Sequence, residues 1–501
     1  ELWEAVVPSV AWSVIISGDG RLAVAAFGDG TIRWYRLTDG KELLAFFPHN
    51  DRKRWVLWTP AGYYDAAPGA EDLIGWHVNN GRDQAADFFP VAQFRDTYYR
   101  PDVIARVLQT GDEIRALALA NEEAGRKSQQ TDIAKQLPPV VEIISPSDES
   151  EVTASEITIR YRIRTPSGEP VTGIKALVDG RLTGARLLVQ ESTAGDAREL
   201  RVTLPEHDST VSIIAENRFA PSVAATLRLK WRSRGVRVTD PSIPTSIVIK
   251  PKLYVLAVGI SHYANEKYNL KFADKDARDF VNAMLSQKGL LYRDVVIYHD
   301  KALTDNDATK DEILDGLDWI RKETTNNDIA MVFFAGHGIN DANNYYFFCP
   351  YQIDPEKLLR TGVGEGDIKK TVSAIAGKAL FFVDSCHSGN AIGLGMRRGE
   401  SDINKVINEL SSAQNGVVVF SASTGSESSY ERAEWNNGAF TKALVEGLNG
   451  AAEIGGTGRI TYIMLDVYIS ERVKGLTGGK QHPTMISPRE TVPDFPIAVK
   501  R

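Results

Sequence analysis

Cysteine is nearly absent from this chain: its 501 residues include two, Cys349 and Cys386. Two cysteines cannot build a disulfide framework, and so sparse a usage fits a reducing compartment, which makes a cytoplasmic location the expectation. A basic excess is absent too. Lys and Arg number 58 against 65 Asp and Glu, a net charge of −7, which argues against a general nucleic-acid binder. No stretch approaches the roughly 18 consecutive apolar residues of a membrane span. The opening ELWEAVVPSV lacks a methionine, as an excised or processed chain would, and lacks a basic region followed by an apolar core. Any targeting segment therefore lies upstream and out of view. What remains is ordinary soluble-protein composition, 43% hydrophobic and 25% charged, in a chain too long for one core. At roughly 150 residues per domain, about three domains are expected.

The first hundred residues read as all-β. From Trp12 to Phe47, apolar runs alternate with Asp-Gly pairs at 19–20, 29–30 and 39–40. That regular spacing predicts a four-stranded antiparallel meander joined by two-residue hairpins, because Asp-Gly supplies the positive φ such turns need. The residues SGDGRLAVAAFGDGTIRWYRLTDGKELL resemble one blade of a WD-repeat propeller. One blade cannot close a propeller. Either this is a remnant packed on its neighbours or further blades precede it, and it either supports the rest of the chain or binds a partner. The aromatic segment 55–76 suggests further strands. Residues 101–137 form a helical connector, with Val103, Ile104, Val107 and Leu108 on one helix and Ile114, Leu117 and Leu119 on another. Residues 138–233 return to alternation, as in Ile157, Ile159, Tyr161 and Ile163 interleaved with Thr158, Arg160, Arg162 and Arg164. Short strands of this kind predict a β-sandwich, resembling the immunoglobulin-like modules of bacterial multidomain proteins, and a spacer role. Residues 234–250 read as an exposed linker.

From 251 to 501 the pattern changes to strand, helix, strand. Lys252–Ile260, Ile329–Phe334, Leu380–Val383 and Val417–Phe420 are apolar without alternation, as strands buried on both faces are. Helical spacing separates them: Phe280, Ala283 and Met284; then Ile313, Leu314, Leu317 and Ile320 behind a Thr309/Glu312 capping box; and a last helix from about Tyr462 to Val473. This predicts a mainly parallel sheet with helices on both faces. Two of the buried strands stop in chemistry. One ends AGHG and places His337; the other ends DSCHSG and places Cys386, 49 residues later. Strand ends are where open α/β folds bind ligands, and about 50 residues is the His-to-Cys spacing of caspases.

On these motifs the segment resembles the caspase family of cysteine proteases, in its metacaspase-like and paracaspase-like branches. The fold class expected is thus multidomain, with a C-terminal α/β caspase-like fold preceded by all-β modules. The resemblance implies that Cys386 is the nucleophile, that His337 is its proton partner, and that the backbone N–H groups of Gly338 and Cys386 form the oxyanion hole. It also implies a specificity pocket. Where caspases that cut after aspartate carry a neutral amide two residues before the cysteine, this chain has Asp384. Where they carry a pocket arginine it has Glu431, and Asp276 falls where metacaspases place a pocket aspartate. Three carboxylates favour a cationic side chain, so cleavage of protein or peptide substrates after Arg, then Lys, is expected. Arg397 and Arg398 stand where family members are often cut between subunits, which suggests self-processing in the 390–415 loop. No cofactor or metal is expected. After the GHG motif Asp341 stands alone, without the acidic cluster of calcium-dependent metacaspases, and His337, Cys349, Cys386 and His387 lack zinc-site spacing. Cys349 reads as core, and His387 should point away from the nucleophile. The rival readings are a non-catalytic scaffold of the same fold that binds partners through its β-modules, and a related peptidase that cuts after Asn.

Overall fold

The structure is a computed structural model. It describes residues 3–4, 6–82, 85–126, 133–182, 186–187, 197–232, 250–341, 345–387, 403–412, 416–423, 429–488 and 491–500; of 186–187 and 386–387 it describes the backbone only. Except for Lys250, the linker expected over 234–250 lies outside the described residues. The chain divides into two compact units, one of residues 1–138, 166–170 and 217–221, the other of 139–165, 171–216 and 222–501.

The first unit is built on one six-stranded antiparallel meander: Ala11–Ile16, Leu22–Phe27, Ile32–Arg36, Glu42–Pro48, Trp55–Trp58 and Tyr64–Ala66. The Asp-Gly pairs do mark its first turns, but those turns are longer than two residues. Gly20, Gly30 and Gly40 take positive φ while their aspartates do not. Each aspartate instead accepts the N–H two residues on, at 3.1 Å from Arg21, 2.9 Å from Thr31 and 3.2 Å from Lys41. Such side-chain turns need one left-handed residue where a two-residue hairpin needs two. Two further strands carry the sheet beyond the four of a propeller blade. The connector helices, Pro101–Thr110 and Glu113–Glu123, pack Val103, Val107, Ala116 and Ala120 with Leu43 of the sheet. In the second helix Ala116 and Ala120 are buried, while Ile114 and Leu119 are exposed. Small residues let that helix approach closely, so the larger apolar residues mark the wrong face.

The second unit begins with two facing sheets. The strands 140–145, 156–164 and 198–203 belong to a four-stranded sheet; 173–178, 209–216 and 225–231 belong to a five-stranded one. Ile159, Tyr161 and Ile163 meet Val211, Ile213, Leu227 and Leu229 in one core, which is why the arginines between them face out. Here an Asp-Gly pair does make a two-residue hairpin. Asp179 and Gly180 both take positive φ, 51° and 76°, between strands Gly173–Val178 and Arg181–Leu182.

The remainder is an α/β layer sandwich. Its principal strands lie in the order Asp294–Ile297, Lys252–Gly259, Ile329–Asn340, Lys378–His387, Val417–Ser421 and Thr484–Ile486. All neighbours are parallel except the last pair. Successive residues face opposite sides, and both sides are covered. Val255, Phe333, Phe382 and Phe420 pack under helices Ala273–Leu285, Ala439–Glu446 and Tyr462–Thr477. Leu256, Phe334, Phe381 and Val419 pack under Lys310–Glu323, Glu365–Val372 and Asn404–Leu410. Burial on both faces removes any reason for polar alternation, hence the unbroken apolar runs. Thr309 caps its helix by accepting the Glu312 N–H at 3.2 Å. The Glu312 carboxylate is turned instead to His299, at 3.3 Å.

Candidate active site

The two motif-bearing strands are neighbours, and their register is the central fact of the site. Ile329 pairs with Lys378, and the parallel ladder continues through Ala335 with Asp384 and Gly336 with Ser385 to His337 with Cys386 and Gly338 with His387. Adjacent strands lie about 4.8 Å apart, so the backbones of His337 and Cys386 stand side by side.

His337 is held from several directions. It is 2% exposed. Its Nε2 lies 2.7 Å from the carbonyl oxygen of Tyr268, an acceptor only, so Nε2 carries the hydrogen and Nδ1 the lone pair of the neutral form. The His337 N–H donates to the Tyr263 hydroxyl at 2.9 Å, and the Tyr263 ring stacks on the imidazole with centroids 5.2 Å apart. Burial lowers the imidazole pKa to about 4 against the opposing pull of the Tyr268 carbonyl. The resting ring is therefore neutral at neutral pH and able to take a proton. The glycines beside it serve close approach. A Cβ on Gly338 would stand 2.6 Å from the Tyr346 ring.

The acids gather on the same end of the sheet. Asp384 is 6% exposed and accepts the Thr441 hydroxyl at 2.8 Å. Asp276, 2% exposed on the first turn of its helix, accepts from Asn437 Nδ2 at 2.9 Å and from the Gly438 N–H at 3.2 Å. Glu431 accepts the Lys271 N–H at 3.2 Å. All three carboxylates line one recess, open to solvent, whose other described lining residues are small or apolar and include no base. Absence of a Cβ at Gly438 helps keep it open: that position is 3.0 Å from Asp384 Oδ2 and 3.2 Å from Asp276 Oδ2. Burial, and then the charge of Asp384, push the Asp276 pKa well up; burial raises those of Asp384 and Glu431 as well. The recess thus holds more negative charge than it can comfortably ionise alone, and an entering cation would relieve it.

Of the residues read from sequence, His337, Gly338, Asp276, Asp384 and Glu431 come together with the backbone of Cys386. The side chains of Cys386 and His387, and all of Arg397 and Arg398, lie outside the described residues. Cys349 is wholly buried, and burial pushes its thiol pKa up. Asp341 accepts the N–H of Tyr345 at 2.8 Å. No group of three or more His, Cys, Asp or Glu able to hold a metal occurs among the described residues, and no described helix is long and apolar enough to cross a membrane. Sequence reasoning missed Tyr263, Tyr268, Asn437 and Thr441, the groups that orient the site.

No curated protein matches the chain. Among solved structures, the protein GSU0716 from Geobacter sulfurreducens is similar at 19% identity over 50% of this chain and 100% of its own, with a TM-score of 0.37. The N-terminal Ig1-2 module of the Drosophila receptor protein tyrosine phosphatase DLAR is similar at 20% identity, over 24% of this chain and 61% of its own, with a TM-score of 0.15. Likeness of this degree bears on neither fold nor function. Residues 252–493, which carry both strand ends and the acid-lined recess, match the family model described as the caspase domain, and that match supports a caspase-like protease acting on protein substrates.

Proposed function

We propose that the chain is a cysteine endopeptidase that cuts after Arg, and less readily after Lys, using Cys386 and His337. The observation that carries this reading is the register of His337 with Cys386 beside a recess lined, among the described residues, by three carboxylates and no base. The steps follow from the residues. A basic substrate side chain enters the recess and pairs with Asp384 and Asp276, which fixes the scissile carbonyl near the strand ends. Cys386 sulfur attacks the carbonyl carbon while its proton passes to the neutral His337 imidazole. The carbonyl π electrons move to oxygen, where the N–H groups of Gly338 and Cys386 stabilise the charge. As the tetrahedral intermediate collapses, the C–N bond breaks and His337 returns the proton to the leaving amine. Water then hydrolyses the thioester by the same route in reverse roles. The Tyr268 carbonyl supports the imidazolium by accepting its Nε2 hydrogen throughout.

Processing after Arg397 or Arg398 stays part of the proposal, and a need for calcium, which the residues do not support, is left to the assay. Partner binding by the β-modules is the basis of the rival, non-catalytic scaffold. Matched fluorogenic peptides ending in Arg, Lys, Asp or Asn, with the wild type and Cys386→Ala, separate the readings. Arg and Lys turnover that vanishes in the variant supports the proposal. Turnover confined to Asn or Asp redirects the specificity, and none with any peptide, with or without calcium, favours the scaffold.

A further inference from the structure

One buried polar side chain in the catalytic segment is used by neither the dyad nor the recess. Gln481 is 0% exposed. Its Oε1 accepts the Tyr430 N–H at 2.9 Å, and its Nε2 donates to the Ala422 carbonyl at 2.8 Å. Its own N–H donates to the Thr477 hydroxyl at 3.2 Å, on the last turn of helix Tyr462–Thr477.

The two backbone groups it joins each adjoin a stretch that carries recess-lining residues. Ala422 follows the strand Val417–Ser421, and its N–H donates to the Val383 carbonyl at 2.9 Å, immediately before Asp384. Tyr430 immediately precedes Glu431, and its carbonyl accepts the Ala439 N–H at 2.8 Å, immediately after Gly438. One carboxamide thus links the end of the strand beside the one that carries Asp384, itself tied to that strand through Val383, to the hairpin that carries Glu431 and Gly438. Glutamine suits the place chemically, because one end must accept and the other donate. Neither a carboxylate nor a hydrocarbon can do both, and a buried backbone group left without a partner is costly.

We infer that Gln481 is a positioning residue for substrate specificity, fixing the Glu431 wall against the Asp384 wall so that their carboxylates converge on one cation. The inference rests on the reading of the recess as the site for a basic side chain. Because Thr477 holds the main chain at 481, changes to the side chain act on the recess without uncapping the helix.

Gln481→Glu and Gln481→Leu test it in the full chain, with kcat and KM measured for matched Arg and Lys peptides. Alkylation of Cys386 by iodoacetamide reports the nucleophile without using the recess, and the buried Cys349 does not compete. The expected result at neutral pH is a KM for the Arg peptide raised about tenfold or more, with kcat and the alkylation rate changed less than about threefold. In Gln481→Glu the KM defect, taken relative to wild type at each pH, shrinks as pH falls, because a protonated glutamic acid can again donate to Ala422. Folded variants with wild-type KM would overturn the inference, and so would kcat, alkylation and KM failing together. Should Gln481→Leu not fold, the pH dependence of Gln481→Glu decides. Wild type that ignores Arg peptides would overturn the specificity reading itself and this inference with it. Wild type active on Arg, with variants indistinguishable from it, would overturn the inference alone.

Discussion

Asp384→Asn removes one negative charge from the recess with almost no change in volume. Asp384 and Asp276 each place an oxygen about as close to the Gly438 Cβ position, 3.0 and 3.2 Å, so a guanidinium there meets both. Truncating one partner of a buried charge pair costs about 2–5 kcal/mol. Asparagine keeps an acceptor for Thr441 and a neutral dipole toward the substrate, so the lower part of that range applies. About 2–3 kcal/mol corresponds to a loss of roughly 30- to 150-fold in kcat/KM for Arg peptides. The pH dependence carries a second signature. The recess carboxyls have raised pKa values in the free protein, from burial first and, for Asp276, next from Asp384. A bound cation favours their ionised forms, so binding releases protons and KM for Arg should fall as pH rises. Without Asp384 the Asp276 pKa drops, and that dependence moves to lower pH. Stability should not suffer. A carboxyl whose folded-state pKa is raised binds protons more tightly in the folded chain than in the unfolded one, so ionisation destabilises the fold as pH rises through its titration. Relieving this pair leaves Tm equal or higher above that range. The assay is kcat and KM for a matched Arg peptide across about pH 5 to 9, with thermal unfolding of both proteins. Undiminished Arg cleavage by Asp384→Asn, or a wild-type KM that rises with pH, would refute the reasoning.

Other outcomes follow from the same geometry. His337→Ala should lower kcat by about 10²- to 10⁴-fold; because burial holds its pKa near 4, the wild-type kcat should keep its base form well below pH 6.5, and an acid limb near 6.5 assigned to His337 would contradict that burial. Tyr263→Phe keeps the ring against the imidazole but removes the acceptor of the His337 N–H. It should cost about 1–3 kcal/mol in denaturant unfolding and lower kcat with KM little changed. Wild type added in trace amount to Cys386→Ala protein should yield fragments ending at Arg397 or Arg398 by mass, and replacing both arginines should abolish them.

Much of the site was legible because burial on both faces writes itself into sequence. The runs Ile329–Phe334 and Leu380–Val383 suit central strands, and equal distances from the end of each run to its motif residue agree with the register of His337 and Cys386. The acids were legible through motif position alone. The groups that hold the site were not, since Tyr268 lies far upstream of His337, Asn437 and Thr441 come from the hairpin and the helix after it, and Gln481 follows the last helix. No local pattern marks a residue whose role depends on packing that distant. The β-modules show the same limit. Asp-Gly signals a turn in every case, but only at 179–180 do both residues take positive φ, because neighbouring side chains decide which turn forms. In the connector, Ala116 and Ala120 rather than Ile114 face the core, since close helix approach favours small residues.

The most direct test of the central claim is kcat/KM for a peptide series identical except for Arg, Lys, Asn or Asp at the cleaved position, with Cys386→Ala as the blank. The account predicts Arg first, Lys second, Asn and Asp far below, and no turnover by the blank. Preferred cleavage after Asp, or Arg cleavage that persists without the Cys386 thiol, would contradict it.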